Sequence, residues 1–437
     1  MAGSDAKPTL AEAVTWLSDC RALPRDVEAK ARLLLLDTLG CLLAGLLHPE
    51  VRKFGQALRL AFPGETAWPA SDIRLGPAGA AALGAAAACW DEACEGHAPS
   101  HGRPGLPVVP ALLALAASRQ TTLGDLLLAL TTGYEIGARA GEAWRIPAGW
   151  HVDGGWHSLA VAAAVARMTA GPERIQPAIE AAACQIPASL YLPITMGSVL
   201  RNTYPAHAVL LGMMAAAAAD AGFGMPDGAL EEGRRRVLQA AGPATSAPAG
   251  RWTILDGYLK PYAAVRHTHY GVEAALRLRK DANFSLQNIA AIKLEIYPEA
   301  VQYCGNRAPR TAIQAQFSLS YAIAAALVLG DLGPDAYADV GHPAITRLES
   351  RVTVEANPGR LRRGAKLTID TGGTSLTASV DDIAGDGTNP MTQDQTAEKF
   401  RRYTEATLGR QHAEAVIGFI LEGNAAESAQ KCLLLAG

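Results

Sequence analysis

The stretch Ala80 to Pro107 reads AAALGAAAACWDEACEGHAPSHGRPGLP, and its two halves decide the fold to expect. Ala80 to Cys89 is an apolar run of small residues, the composition of a helix buried on all sides. At its end the chain turns to acids, two histidines and a Gly/Pro loop. If the helix continues, Asp91 and Glu95, four residues apart, share one of its faces. His97 and His101 then fall in irregular backbone, where side chains converge without a regular ladder. Carboxylates beside imidazoles at the mouth of an apolar helix form an acid/base set, because each shifts the other's pKa toward neutrality. The plain alternative is a solvated helix end with a capping histidine.

Outward from this stretch the chain reads as helix in both directions. Thr9 to Leu17, Pro24 to Leu47 and Val51 to Leu60 precede it, and ARLLLLDTLGCLLAGL within the second is apolar almost all round. Val108 to Arg119, Thr121 to Glu142 with Asp125 in its first turn, Ser158 to Ala170, Ile175 to Ser189 and Tyr204 to Gly222 follow it. Two polar features interrupt the pattern. GWHVDGGWH, residues 149–157, is a glycine-rich turn entering a helix, whose N–H groups suit a carboxylate and which His151 can join. Arg201 sits in an apolar region and needs a partner, either a substrate carboxylate held bidentately or a structural acid.

GPATSAPAG, residues 242–250, has the composition of a linker. Just beyond it Lys260, Tyr262, Arg266, His267 and His269 crowd into ten residues before a helix over Gly271 to Arg279. A cationic cluster at a domain junction suits an anionic ligand. Then the character changes. Ile289 to Ile296, Ser350 to Glu355, Lys366 to Asp370 and Ser375 to Val380 alternate with β-branched residues, predicting an antiparallel sheet. Helices are expected over Ala315 to Val328, which carries Tyr321, and over Asp335 to Ala338. After a second linker, Asp381 to Asn389, helices return over Thr392 to Leu408 and Arg410 to Leu421. The expected fold is mostly α: a large all-helical domain built from both termini, 1–256 with 390–437, plus a smaller α+β lid domain, 257–389.

With 437 residues and a formal charge of -3, the chain has no basic stripe beyond Arg234 to Arg236, so nucleic acid is not an expected partner. Seven scattered cysteines without a CxxC pair fit reduced thiols and a cytoplasmic location. The opening residues lack a secretory pattern, and the apolar runs at 80–89 and 208–219 fall short of a membrane span, so no membrane partner is expected. Histidines and acids show no ligand spacing such as HExxH, so no metal is expected.

Taken together, LLLDTLGCLLAG, the Asp91 to Pro107 loop, HVDGGWHSLAVAAAVA, MGSVLRN, LKPYAAVRHTH, AQFSLSYAIAAAL and NPMTQDQTAEKF, in this order, resemble the MmgE/PrpD family. That family includes 2-methylcitrate dehydratase, cis-aconitate decarboxylase and iminodisuccinate epimerase. The resemblance covers nearly the whole chain and implies a homodimer of two-domain subunits. It also implies a cofactor-independent lyase or isomerase that abstracts a proton α to a carboxylate of a small di- or tricarboxylic acid. The catalytic residues it implies are Asp91, His101 tuned by Asp91, Lys260 and Tyr321. Arg201 stands where some members have Lys, and His269 matches the histidine closing the lysine motif. With Glu95, His151 and Arg266 these form the expected substrate-binding set.

Three departures bear on the reaction. Ala93 stands where the family commonly has Thr, and Val265 where decarboxylase members have His, which puts decarboxylation behind the other two reactions. Glu95 adds an acid, which suits an epimerase somewhat better than a dehydratase. The alternative is a catalytically silent homologue that binds a carboxylate or acts as a scaffold.

Overall fold

A computed structural model describes residues 9–144, 146–237, 239, 246–360 and 362–436. The residues before Thr9, and 242–245 of the first expected linker, lie outside these. The fold is mostly helical, with a smaller mixed α/β region, as expected.

The helix Arg25–Gly45 is buried along most of its length and packs against both Pro77–Cys89 and the C-terminal helix Gln393–Glu422. Small residues set how close these helices come. A Cβ on Gly45 would fall 2.0 Å from the carbonyl oxygen of Ala87, so the two backbones touch and a larger residue would separate them. Between His157–Thr169 and Tyr204–Asp220 the same holds at Gly212, whose Cβ would lie 2.5 Å from that of Val161. The alanine-rich runs are therefore interior helices packed at short range. Thr122 caps the helix Leu123–Ala143 by accepting from the Asp125 N–H at 3.1 Å.

The C-terminal helix reaches back to the opening loop. Lys399 Nζ donates to Asp37 Oδ1 at 2.6 Å and to the Ala93 carbonyl at 2.8 Å, which holds residues 91–95 from behind. Gly409, at φ 66 and ψ 168, breaks the C-terminal helix where the sequence divides it.

Several expected elements are corrected. The helix from Ile175 ends at Ala183 rather than Ser189, because Pro187 disfavours helical backbone in the residue before it. Ser189–Leu190 instead pairs antiparallel with Trp150–His151. The four-stranded sheet runs Val352–Ala356, Ala291–Ile296, Ala365–Asp370, Ser375–Val380. It is mixed rather than antiparallel, since Ile292 pairs in parallel with Val352 and antiparallel with Ile369. The long excursion through Pro298–Cys304, Leu319–Leu329 and Pro343–Glu349 is a crossover, so the chain re-enters the sheet in its original direction. Of those helices only the middle one was expected. Ile292, Leu294 and Ile296 alternate inward, and His269–Arg279 and Leu319–Leu329 pack against the sheet. Among the described residues no single helix is long and apolar enough to cross a membrane.

Candidate active site

The alanine-rich helix ends at Cys89, where its apolar run ends, and does not continue to Glu95. The next residues form an irregular loop in which Glu92 (φ 53) and His101 (φ 55) both adopt left-handed backbone. Such conformations cost on the order of 1–3 kcal/mol each and persist where the surroundings over-determine them. Two contacts hold this loop. His97 pairs with Gly102 across its neck, and Gly96 exchanges N–H···O bonds of 2.9 and 2.8 Å with Tyr258. The second ladder brings the opening loop beside the lysine segment.

Between them lies a cavity of about 720 Å3, also walled by Gly149–Asp153, Arg201, the helix Pro298–Cys304 and Arg363. Among the described residues five cationic side chains line it (Arg103, Arg201, Lys260, Arg266, Arg363) against three carboxylates (Glu92, Asp153, Glu299). With the histidines neutral, these described side chains carry an excess of two positive charges.

Glu92 is the hub. One carboxylate oxygen meets Arg201 and, at 3.2 Å, Arg103; the other accepts from Lys260 Nζ at 2.9 Å. Burial opposes its charge, but Arg103, Arg201 and Lys260 outweigh this and hold its carboxyl well below the usual range. Asp153 pairs with Arg103 and lies 3.5 Å from Arg201. It too stays ionised against burial, chiefly through Arg103, with His151 and Arg201 adding to it. Burial pulls the Lys260 ammonium down, and Glu92 partly restores it. Arg201 therefore takes a structural acid as its partner while still facing the cavity.

The histidines divide by role. His151 Nδ1 accepts from the Asp153 N–H at 3.0 Å, which leaves its proton on Nε2, and burial lowers its pKa to about 4. His267 Nδ1 lies 2.6 Å from the Tyr297 hydroxyl, its ring stacks on Tyr303, and burial lowers its pKa to about 3. Both stay neutral near pH 7. His101 is exposed on the rim of the cavity.

Of the expected site residues, His101, His151, Arg201, Lys260 and Arg266 converge on this cavity. Asp91, Glu95, His269 and Tyr321 do not line it. Because the helix stops at Cys89, Asp91 and Glu95 never share a helical face. Asp91 Oδ1 is 3.0 Å from His48 Nε2, and its other oxygen is buried without a hydrogen bond, so it does not tune His101 as expected. Glu95 accepts from the Gly105 N–H at 2.8 Å, at the start of the helix Gly105–Ala116. Burial raises its pKa to about 8. His269 is fully buried, with Nε2 against the Ala264 carbonyl and Nδ1 3.3 Å from Arg266. The Tyr321 hydroxyl donates to the Ala336 carbonyl at 2.7 Å.

The residues missed are Glu92, Arg103, Asp153 and Arg363. Glu92 adjoins Asp91, and only the helix end decides which of the two acids points inward. Asp153 lies inside the glycine-rich turn read as a cradle for a substrate carboxylate. An acid in such a turn, with a lone Arg elsewhere in apolar sequence, is the signal that could have found it. Asp386, in the second linker, pairs with Arg266 and accepts from the Tyr270 hydroxyl at 3.0 Å. Among the described residues no group of three or more His, Cys, Asp or Glu side chains is placed to hold a metal ion.

Residues 9–247 match the MmgE/PrpD N-terminal domain, and residues 262–421 match the MmgE/PrpD C-terminal domain. The chain belongs to the MmgE/PrpD family. Its relatives within that family include the cis-aconitate decarboxylase-like protein oryM of Aspergillus oryzae, 24% identical over 94% of this chain and 93% of the relative. The cis-aconitate decarboxylase of Aspergillus terreus is 25% identical over 75% of this chain and 73% of its own. The human cis-aconitate decarboxylase is 26% identical over 90% and 87%. MmgE/PrpD membership with these relatives supports a lyase-type enzyme. The relatives carry the name of the reaction that the sequence reading placed behind dehydration and epimerisation.

Proposed function

We propose that this MmgE/PrpD chain is a lyase acting on a small di- or tricarboxylic acid by moving a proton at carbon next to a carboxylate. The observation that carries this reading is the cavity wall: five cations against three carboxylates among the described residues, with an imidazole on the rim. A volume of about 720 Å3 accommodates a small acid of this class. Fixed positive charge around it stabilises the enolate-like charge that develops when a C–H or C–C bond breaks beside a carboxylate. In this reading residues 1–256 and 390–437 form the body, and 257–389 form the lid that carries Lys260 over it. His101 transfers the proton, and Lys260, oriented by Glu92, faces the developing charge.

A second reading, decarboxylation, is favoured by the names of the relatives. Val265 lines the cavity where decarboxylases of the family carry His, while His267, two residues on, presents an imidazole to the same space. With its Nδ1 engaged by Tyr297 and its charged form disfavoured by burial, His267 is a weak proton donor. This keeps dehydration or epimerisation ahead.

Proton NMR in D2O with 2-methylcitrate, iminodisuccinate and cis-aconitate tests the assignment. Deuterium exchange with a new double bond marks dehydration, exchange with inversion marks epimerisation, and CO2 release marks decarboxylation. Absence of exchange and of CO2 release with every di- and tricarboxylate tried would overturn it.

A further inference from the structure

The cations of the cavity wall are not equivalent. Arg103 is paired with Asp153 and Glu92, Arg201 and Lys260 with Glu92, and Arg266 with Asp386. Arg363 alone among the five makes no hydrogen bond or ion pair with a described residue. It lies in the connection between the strands Val352–Ala356 and Ala365–Asp370, half-buried, with its charge toward the phenols of Tyr297, Tyr258 and Tyr270. Glu299 attracts it electrostatically from beyond ion-pair distance. The His267 ring feels Arg363, His101 and Lys260 together, so these groups surround one part of the cavity.

A half-buried guanidinium that faces a cavity and has no described partner keeps its donors available to an anion that enters. Its planar fork matches a carboxylate in bidentate fashion. We propose that Arg363 is the specificity residue that binds a second carboxylate of the substrate, besides the one taken by the Arg103–Arg201–Lys260 wall. The substrate is then an acid with at least two carboxylates, one at Arg363 and one at the wall, with the reacting carbon near His101 and Lys260. This rests on the reading of the cavity as a polycarboxylate site and goes beyond it by naming the residue that selects on carboxylate number and spacing.

The test is calorimetric titration with tricarballylate, a saturated tricarboxylate without a leaving group. Wild type binds it, and Arg363→Met, with an unchanged ligand-free melting curve, binds it at least about tenfold more weakly, the scale of one lost charge-assisted contact. Arg363→Lys keeps the charge but not the fork, and falls between the two. Arg362→Met removes the adjacent exposed charge and stays within about twofold of wild type, as surface charges do. Equal affinity in Arg363→Met and wild type would overturn the assignment of Arg363 while leaving the cavity a carboxylate site. An equal loss in Arg362→Met would overturn it too, by reducing the effect to net charge. Failure of wild type to bind tricarballylate would overturn the polycarboxylate reading itself, and the proposal with it.

Discussion

Lys260 Nζ donates both to the Glu92 carboxylate, at 2.9 Å, and to the Glu92 backbone carbonyl, at 2.8 Å, although 168 residues separate the two along the chain. One ammonium thus fixes the position of a strained residue and satisfies its charge. The opening loop and the segment after the first linker become parts of a single wall.

Removing one side of that contact leaves charge buried and unpaired. Glu92→Gln strands Arg103, Arg201 and Lys260 without their shared carboxylate, and a loss of about 3 kcal/mol in unfolding free energy is expected. Adding Lys260→Met should restore part of it, with a coupling of about 1–3 kcal/mol in a double-mutant cycle. Additive losses in denaturant melts would mean that the two side chains act independently.

Tyr321 separates what the resemblance implies from what the structure shows. As a catalytic acid its loss would cost turnover heavily. As a donor to the Ala336 carbonyl, Tyr321→Phe should lower stability by about 1 kcal/mol and leave kcat near that of the wild type. Steady-state kinetics beside a thermal melt distinguish the two.

Glu95 makes a pH-dependent contribution with a definite sign. Its folded pKa of about 8 lies above the ordinary carboxyl value, so the native state holds a proton that the unfolded chain has released. Its contribution to stability therefore falls as pH rises toward 8. Below pH 6.5 the opposite trend enters, because His97, His151, His157 and His267 are held neutral by burial, with pKa values of about 3 or 4. Those must be protonated in the unfolded chain first, so acid destabilises. Between pH 6.5 and 8, Glu95→Gln should gain on wild type by up to roughly 1.4 kcal/mol per pH unit, the value of one proton. Parallel stability curves for the two proteins across that window would contradict the assignment.

What the sequence disclosed follows its physics. The buried helices were legible because alanine and glycine at close crossings such as Gly45 against Ala87 leave a compositional trace. Strand positions were legible from alternation, but the direction of Val352–Ala356 was not, since it depends on how the intervening helices cross the sheet. At the site, His101, His151, Arg201, Lys260 and Arg266 were found because clustered polar residues in apolar sequence need partners. Asp91 came from the resemblance, whereas the helix ends at Cys89 and it is Glu92 that lines the cavity. A one-residue shift at a helix end exchanges the inward acid for one facing His48. Arg363 left no trace: it is one arginine among several in a polar loop, and its place on the cavity with no hydrogen-bond or ion-pair partner among the described residues is visible only in the fold.

The central claim is that the imidazole of the opening loop and the lysine after the linker serve one substrate in one cavity. The most direct measurement is the rate of solvent deuterium incorporation by proton NMR in D2O, on whichever acid the wild type turns over, for His101→Asn. His101 is exposed, so the variant should fold as wild type does, and its rate should fall by at least about a hundredfold, the usual contribution of a positioned general acid or base. Incorporation by His101→Asn at the wild-type rate would contradict the account.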